Sequence, residues 1–221
     1  MQHRWIIQQG GREVILFFGG WGLDSHAVSH MSGRRDVLMF YDYREMEMKR
    51  PAVIDDYDKV YLVGWSMGVW AASLMRSRWS LRTTCAVAIN GTERPVDEEY
   101  GIVPKVYLLT ERGMNEAGRD KFFARMFTEG EERLRFEGNR PERSLQEQVE
   151  ELTAIRVCAA DFRPETPWDK AYISQEDKIF PGKNQENWWN RQKTTIVYSN
   201  SGHFPFYAMA DWDLIVAYGD K

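Results

Sequence analysis

An α/β fold, with a mostly parallel doubly wound sheet and a helical insertion, is predicted by three features of this sequence. Short apolar runs recur and stop at glycine or aspartate, helical patterns alternate with them, and one charge-rich stretch interrupts the alternation. Strands buried on both faces of a parallel sheet read as continuous apolar runs, and the crossovers between them require helices.

The first run, Val14-Ile15-Leu16-Phe17-Phe18, stops at Gly19-Gly20-Trp21-Gly22. A second, residues 36–41, stops at Asp42, and a third, residues 59–63, stops at Gly64. Each is about the length of an average strand. A helical pattern with Ala71, Ala72, Leu74 and Met75 follows over residues 67–79, unbroken by proline or by glycine after Gly68. Further strands are expected at residues 84–89, 171–174 and 195–198. Residues 111–167, between the fourth and fifth runs, form the insertion: Phe122, Phe123, Met126 and Phe127 make one helical stripe, and Leu145, Val149 and Leu152 another.

The 221 residues suit one domain, residues 1–221, and 43% hydrophobic and 14% aromatic content exclude a disordered or fibrous chain. A net charge of -4 gives no field for nucleic acid. Cys85 and Cys158 lie apart in apolar settings, which reads as two buried free thiols in a reducing compartment. The run at residues 14–18 is too short for a signal segment or a membrane span, so a cytoplasmic protein with no membrane association is expected.

Gly64-Trp65-Ser66-Met67-Gly68 is a G-x-S-x-G pentapeptide. The bare pattern is weak, but here it leaves a strand and opens a helix, the setting of the nucleophile elbow in the α/β-hydrolase fold. The bend lifts the Ser66 hydroxyl to the carboxyl end of the sheet. The Met67 N–H, at the helix N-terminus, would face the oxyanion of a tetrahedral intermediate. The glycine loop after the first strand offers a second donor, the N–H of Trp21.

Of four histidines, only His203 follows the serine in the chain. In this fold the order is serine, acid, histidine, so His203 is the expected general base. His26 and His30, at i and i+4 on an expected helix, have no further ligand and no H-E-x-x-H around them, which argues against a metal site. Asp177, in the loop after the fifth strand, is the expected acid, with its neighbour Glu176 as a substitute and Asp97, one strand earlier, as the other alternative. Trp65, Trp70, Phe204 and Phe206 are expected to line the acyl pocket. This chemistry needs no metal or organic cofactor. Competing readings are a general short-chain carboxylesterase or thioesterase and a non-catalytic binding protein on the same fold.

Phe18-Gly19-Gly20-Trp21-Gly22, Tyr41-Asp42-Tyr43, the elbow continued through Val69-Trp70, and Asn90-Gly91-Thr92 with Pro95, Asp97, Gly101 and Ile102 form a combination. With Asp177-Lys178-Ile179-Phe180, Asn184-Gln185, Trp188 and Gly202-His203-Phe204, it resembles the BioG-type pimeloyl-[acyl-carrier-protein] methyl ester esterases. The Gly-Trp-Gly and Trp-Ser elements are also similar to the BioH type. The resemblance runs over most of the chain and matches the insertion loosely. It implies a serine carboxylester hydrolase of biotin biosynthesis that releases methanol from the methyl ester of pimeloyl-carrier protein. Ser66, Asp177 and His203 then take the triad roles, and Trp21 and Met67 supply the oxyanion donors. The partner implied is acyl carrier protein, an acidic protein, for which Arg119, Arg125, Arg133, Arg135, Arg140 and Arg143 offer local positive charge.

Overall fold

Seven strands form one sheet in this computed structural model, which describes residues 1–162 and 167–217. In chain order they are β1 (Gln2–Ile7), β2 (Glu13–Phe18), β3 (Asp36–Tyr41), β4 (Lys59–Trp65), β5 (Cys85–Ile89), β6 (Lys170–Ser174) and β7 (Thr195–Ser199). Across the sheet the order is β1-β3-β2-β4-β5-β6-β7. β1 is antiparallel to β3, and the other pairings are parallel. The helices are α1 (Gly68–Arg78), α2 (Pro104–Arg112), α3 (Glu116–Arg125), α4 (Gly130–Glu137), α5 (Leu145–Ala159), α6 (Gly182–Trp189) and α7 (Trp212–Val216).

The chain passes from β2 outward to β3 and then returns to the other side of β2 as β4. Such a switch point opens a crevice at the carboxyl ends of the two central strands. The register pairs Phe18 with Gly64, so the loop after β2 and the turn after β4 emerge side by side. Val14 through Phe18 and Leu62 through Val63 have no exposed surface, because helices or loops cover both faces. Burying one such phenylalanine contributes about 1.5–3 kcal/mol. Helix α1 comes so near the sheet that a Cβ on Gly68 would sit 2.1 Å from the Phe18 carbonyl oxygen. Only glycine tolerates that approach.

Four helices, α2 to α5, lie between β5 and β6. They start at Pro104, ahead of the residue 111 expected from the charge pattern, because α2 carries few charges and a proline opens its first turn. Residues 163–166 of the expected insertion lie outside the described residues. A capping box at Ser144 and Glu147 fixes the start of α5. The group packs on the chain carrying His203: Phe127 and Phe136 meet Phe204 at 5.7 and 5.5 Å between ring centroids.

β1, α6 and α7 were not anticipated. β1 is an edge strand with its first three residues exposed, so it lacks both the apolar run and the alternation that mark a strand. Strand β4 continues through Gly64 and Trp65 to the serine itself. The expected helix over His26 and His30 is a single 3-10 turn, Ser25–Val28, that leaves His30 outside; its Nε2 lies 3.1 Å from the Phe206 carbonyl oxygen. Cys85 is buried and free, but Cys158 is free and exposed, on the outward side of α5. Among the described residues no helix is long and apolar enough to cross a membrane.

Candidate active site

Between the end of β4 at Trp65 and the start of α1 at Gly68 only Ser66 and Met67 remain to reverse the chain. Ser66 takes φ 57°, a left-handed conformation that costs an ordinary residue about 1–3 kcal/mol. Its surroundings hold it there. The Ser66 N–H donates to the Ile89 carbonyl at 2.9 Å. A Cβ on Gly91 would lie 2.2 Å from the Ser66 carbonyl oxygen, so the loop after β5 closes on the turn only because that residue is glycine.

The bend brings three polar side chains into line. Ser66 Oγ lies 2.9 Å from His203 Nε2, and His203 Nδ1 lies 2.7 Å from Asp177 Oδ2. A carboxylate facing Nδ1 accepts its N–H and so leaves Nε2 free to accept from the serine. All three residues are almost wholly enclosed: Ser66 is 3% and His203 1% exposed, and the Asp177 side chain has no exposed surface. Asp177 is held by its own loop, where Oδ1 accepts from the N–H groups of Ile179 and Phe180 at 2.9 and 2.8 Å. Gln185 Nε2 donates to Oδ2 at 3.3 Å. Asp97, the alternative acid, instead accepts from the N–H groups of Glu99 and Tyr100 and closes its own turn.

His203 is fixed from behind. The Trp65 indole packs on its ring at 5.1 Å between centroids and donates from Nε1 to its carbonyl at 2.8 Å. Asn90 Nδ2 donates to the same carbonyl at 2.9 Å. Around the serine, Trp21 and Met67 are 3% and 2% exposed. Among the described residues neither backbone N–H donates a hydrogen bond within the protein.

The expected pocket lining does not hold. Trp65, Trp70, Phe204 and Phe206 are buried in the core, Trp70 edge-on to Tyr43 and the other three packed on one another. A cleft of about 20 Å³ instead opens at Met67, the residue after the serine, and is walled by Ile102, Val106, Tyr107, Phe122, Leu152 and Ile179. It shares Val106, Thr110, Phe122 and Arg125 with a groove of about 320 Å³ that also touches Lys121. The insertion's apolar stripe held this signal: Phe122 and Leu152 were legible as helical core, but nothing local marked them as facing a cleft.

The arginines divide. Arg143 is 8% exposed and lies between Glu151 and Asp42 at 2.6 and 3.0 Å, so it cannot meet a partner protein. Arg140 pairs with Asp120 and Glu137 at 2.6 and 3.1 Å, and Arg119 pairs with Glu116, which neutralises both. Arg125, Arg133 and Arg135 are exposed. Of these Arg125 donates to the Lys178 carbonyl, and Arg135 covers the Tyr207 ring at 4.3 Å.

A family model described as BioG, pimeloyl-ACP methyl esterase, matches residues 1–215. The chain belongs to the BioG family. The crystal structure of BioG from Haemophilus influenzae superposes on it with a TM-score of 0.89 at 28% identity, covering 98% of this chain and 100% of that one. A Haemophilus influenzae protein is 31% identical over 209 residues, 93% of this chain and 94% of its own length. A Bacteroides fragilis protein named malonyl-[acyl-carrier protein] O-methyltransferase is 37% identical over 195 residues, 87% of this chain. The chain spans 40% of that relative's length.

Beyond BioG, an enol-lactonase from Burkholderia xenovorans matches with a TM-score of 0.65 at 14% identity, covering 95% of this chain and 91% of that one. A putative aryl esterase from Burkholderia cenocepacia matches with 0.62 at 15%, covering 94% and 88%. At such identities the likeness establishes the fold alone, and that fold is the α/β hydrolase.

Proposed function

We propose that this BioG-family chain is a serine esterase that hydrolyses the methyl ester of pimeloyl-[acyl-carrier protein], a step of biotin synthesis. The observation that carries the reading is the unbroken contact from Ser66 Oγ through His203 to Asp177, at 2.9 and 2.7 Å, inside the switch-point crevice of a hydrolase fold. A serine hydroxyl is a poor nucleophile until a neutral imidazole takes its proton, and these distances are those of a hydrogen-bonded relay. Ser66 attacks the ester carbonyl while His203 accepts its proton. The N–H groups of Trp21 and Met67 receive the developing oxyanion. His203 then protonates the departing methoxide, and methanol leaves. Water, deprotonated by the same imidazole, releases the acid. Asp177 keeps the ring in orientation and stabilises its charged form.

In this reading residues 1–221 are one domain, and α2 to α5 act as its cap. The cleft beside Met67 receives the acyl chain, and the groove carries it to the surface. Lys121 and Arg125 at the groove suit an acidic carrier protein and its phosphate better than the arginines of α4 do. The two free cysteines accord with the cytoplasm. The methyltransferase name of the Bacteroides fragilis relative is not carried over, because this chain spans 40% of that protein and its own site offers a nucleophile and a base.

A biotin auxotroph lacking its own methyl ester esterase should grow without biotin when given this gene and fail when given the Ser66→Ala version. Growth with both, or with neither although the protein accumulates folded, would reject the reading. One observation bears on a second reading: the cleft at Met67 is narrow, about 20 Å³. A short-chain carboxylesterase would suit it. A kcat/KM for acetyl or butyryl esters above that for methyl pimeloyl-carrier protein would select that alternative.

A further inference from the structure

The geometry points to Glu151, on α5, as a positioning residue that sets the oxyanion loop Gly19–Gly22. This inference rests on the esterase reading above.

Glu151 has no exposed surface, and each of its oxygens holds backbone at the crevice. Oε2 accepts from the Gly22 N–H at 3.0 Å, and Oε1 accepts from the Tyr43 N–H at 2.7 Å. The Tyr43 hydroxyl in turn donates to the Gly19 carbonyl at 2.6 Å. The carboxylate therefore grips the loop at both ends, Gly22 directly and Gly19 through Tyr43. One turn earlier on α5, Gln148 completes the hold. Its carbonyl accepts from Trp21 Nε1 at 2.7 Å, and its side-chain Nε2 donates to the Gly22 carbonyl at 2.9 Å. Trp21 is thus held by its side chain and, through the Gly22 N–H and carbonyl, by the residue that follows it, which stands at φ 75°. The N–H offered to the oxyanion belongs to that residue.

A structural role alone accounts poorly for a carboxylate here. Burial pushes the Glu151 carboxyl up, against the pull of Arg143 and the two N–H donors. A buried ion pair often stabilises less than apolar side chains of equal volume. What the charge supplies is an acceptor strong enough for two backbone N–H groups at once, with Arg143 at 2.6 Å balancing it and Asp42 beyond at 3.0 Å from Arg143. Preorganised donors act on the transition state because they need not move when charge develops. A loosened loop would therefore weaken transition-state binding and spare the ground state.

The test compares wild type, Glu151→Gln and Gln148→Met on a small methyl ester, with three readouts. These are kcat and KM, the affinity of a trifluoromethyl ketone that forms an oxyanion on Ser66, and the affinity of the matching N-methyl amide, which does not. Glu151→Gln keeps the shape and turns one acceptor into a donor facing an N–H. We expect kcat/KM and ketone affinity to fall together by about 10–100-fold, with amide affinity within about two-fold of wild type. Gln148→Met should show the same pattern at about 3–10-fold, and it carries the test if Glu151→Gln does not fold. Ketone and amide affinities that fall equally, or a ketone affinity that is unchanged in folded variants, would overturn the assignment. Fluorophosphonate labelling of wild-type Ser66 runs alongside: failure there strikes the esterase reading itself, whereas labelling with unchanged ketone affinity strikes Glu151 alone.

Discussion

Asn90 ties the end of β5 to the chain that carries His203. Its Nδ2 donates to the His203 carbonyl at 2.9 Å and to Ser174 Oγ at 2.7 Å, while its Oδ1 accepts from the Ser174 N–H at 2.8 Å. The residue is fully buried and sits at φ 45°, a conformation asparagine adopts more readily than most. Asn90→Ala leaves the Ser174 N–H without its acceptor and frees the His203 loop. Each buried group so stranded costs about 1–3 kcal/mol. Urea unfolding should register that loss, and kcat should fall further than KM rises. A variant as stable and as active as wild type would show that Asn90 merely fills space.

Removing the hydroxyl at Ser66 should lower kcat by about 10⁶-fold, as in other serine triads. The acid makes a sharper test, because the sequence left more than one. Asp177→Asn should cost about 10⁴-fold by presenting the wrong partner to the imidazole. Asp97→Asn, in a turn that touches neither Ser66 nor His203, should leave kcat within about two-fold while slightly weakening that turn. Reversed effects of the two substitutions would reassign the acid.

The parallel strands, the elbow and the chain order of serine and histidine were written in local signals. Residues 14–18, 36–41 and 59–63 were read from continuous apolar runs, and strands stand at Glu13–Phe18, Asp36–Tyr41 and Lys59–Trp65. Ser66 and His203 were named from a strand-turn-helix pattern and from order alone, and they stand 2.9 Å apart. What local pattern could not supply was direction. Phe204, Phe206, Trp65 and Trp70 looked like pocket aromatics because they neighbour site residues in the chain, but closeness in the chain does not set where a side chain points: Trp65 ends β4, Trp70 lies on the buried face of α1, and all four are in the core. Arg143 likewise sits in a charged, exposed-looking stretch. Only the fold reveals that Glu151, one helical stretch later, and Asp42, from the far end of the sheet, enclose it.

That burial changes what charge reversal does. Arg143→Glu would set a third carboxylate against Glu151 and Asp42 with no solvent to relieve it. Breaking a buried pair in this way costs about 3–5 kcal/mol, so the variant should unfold early by thermal melt. Lys121→Glu and Arg125→Glu, exposed at the groove, should melt near wild type. On the proposed reading both raise KM for the carrier-protein substrate several-fold, and Lys121→Glu, which lines the groove and not the cleft, leaves KM for a small ester unchanged. Equal KM shifts for both substrates would remove the groove as the docking site.

The last expectation concerns pH and a carboxyl that the reaction does not use. Glu93 is 1% exposed; it accepts from the Ser73 hydroxyl and, at 3.0 Å, from Gln192 Nε2. Burial is the largest influence on it and raises its pKa above the ordinary carboxylate value, outweighing those donors. A raised value means that the folded chain keeps a proton which the unfolded chain releases. By linkage, the group's contribution is most favourable below the unfolded value of about 4.3 and is lost as pH rises through the folded value. Glu93→Gln removes the titration and leaves the other acids alone. Plotted against pH, the unfolding free energy of Glu93→Gln minus that of wild type should therefore climb above about pH 4 and level off once the buried carboxyl has ionised. Urea denaturation across that range measures it. A difference that stays flat, or that falls with rising pH, would mean that Glu93 ionises in the fold at least as easily as in water and that its hydrogen bonds match or outweigh its burial.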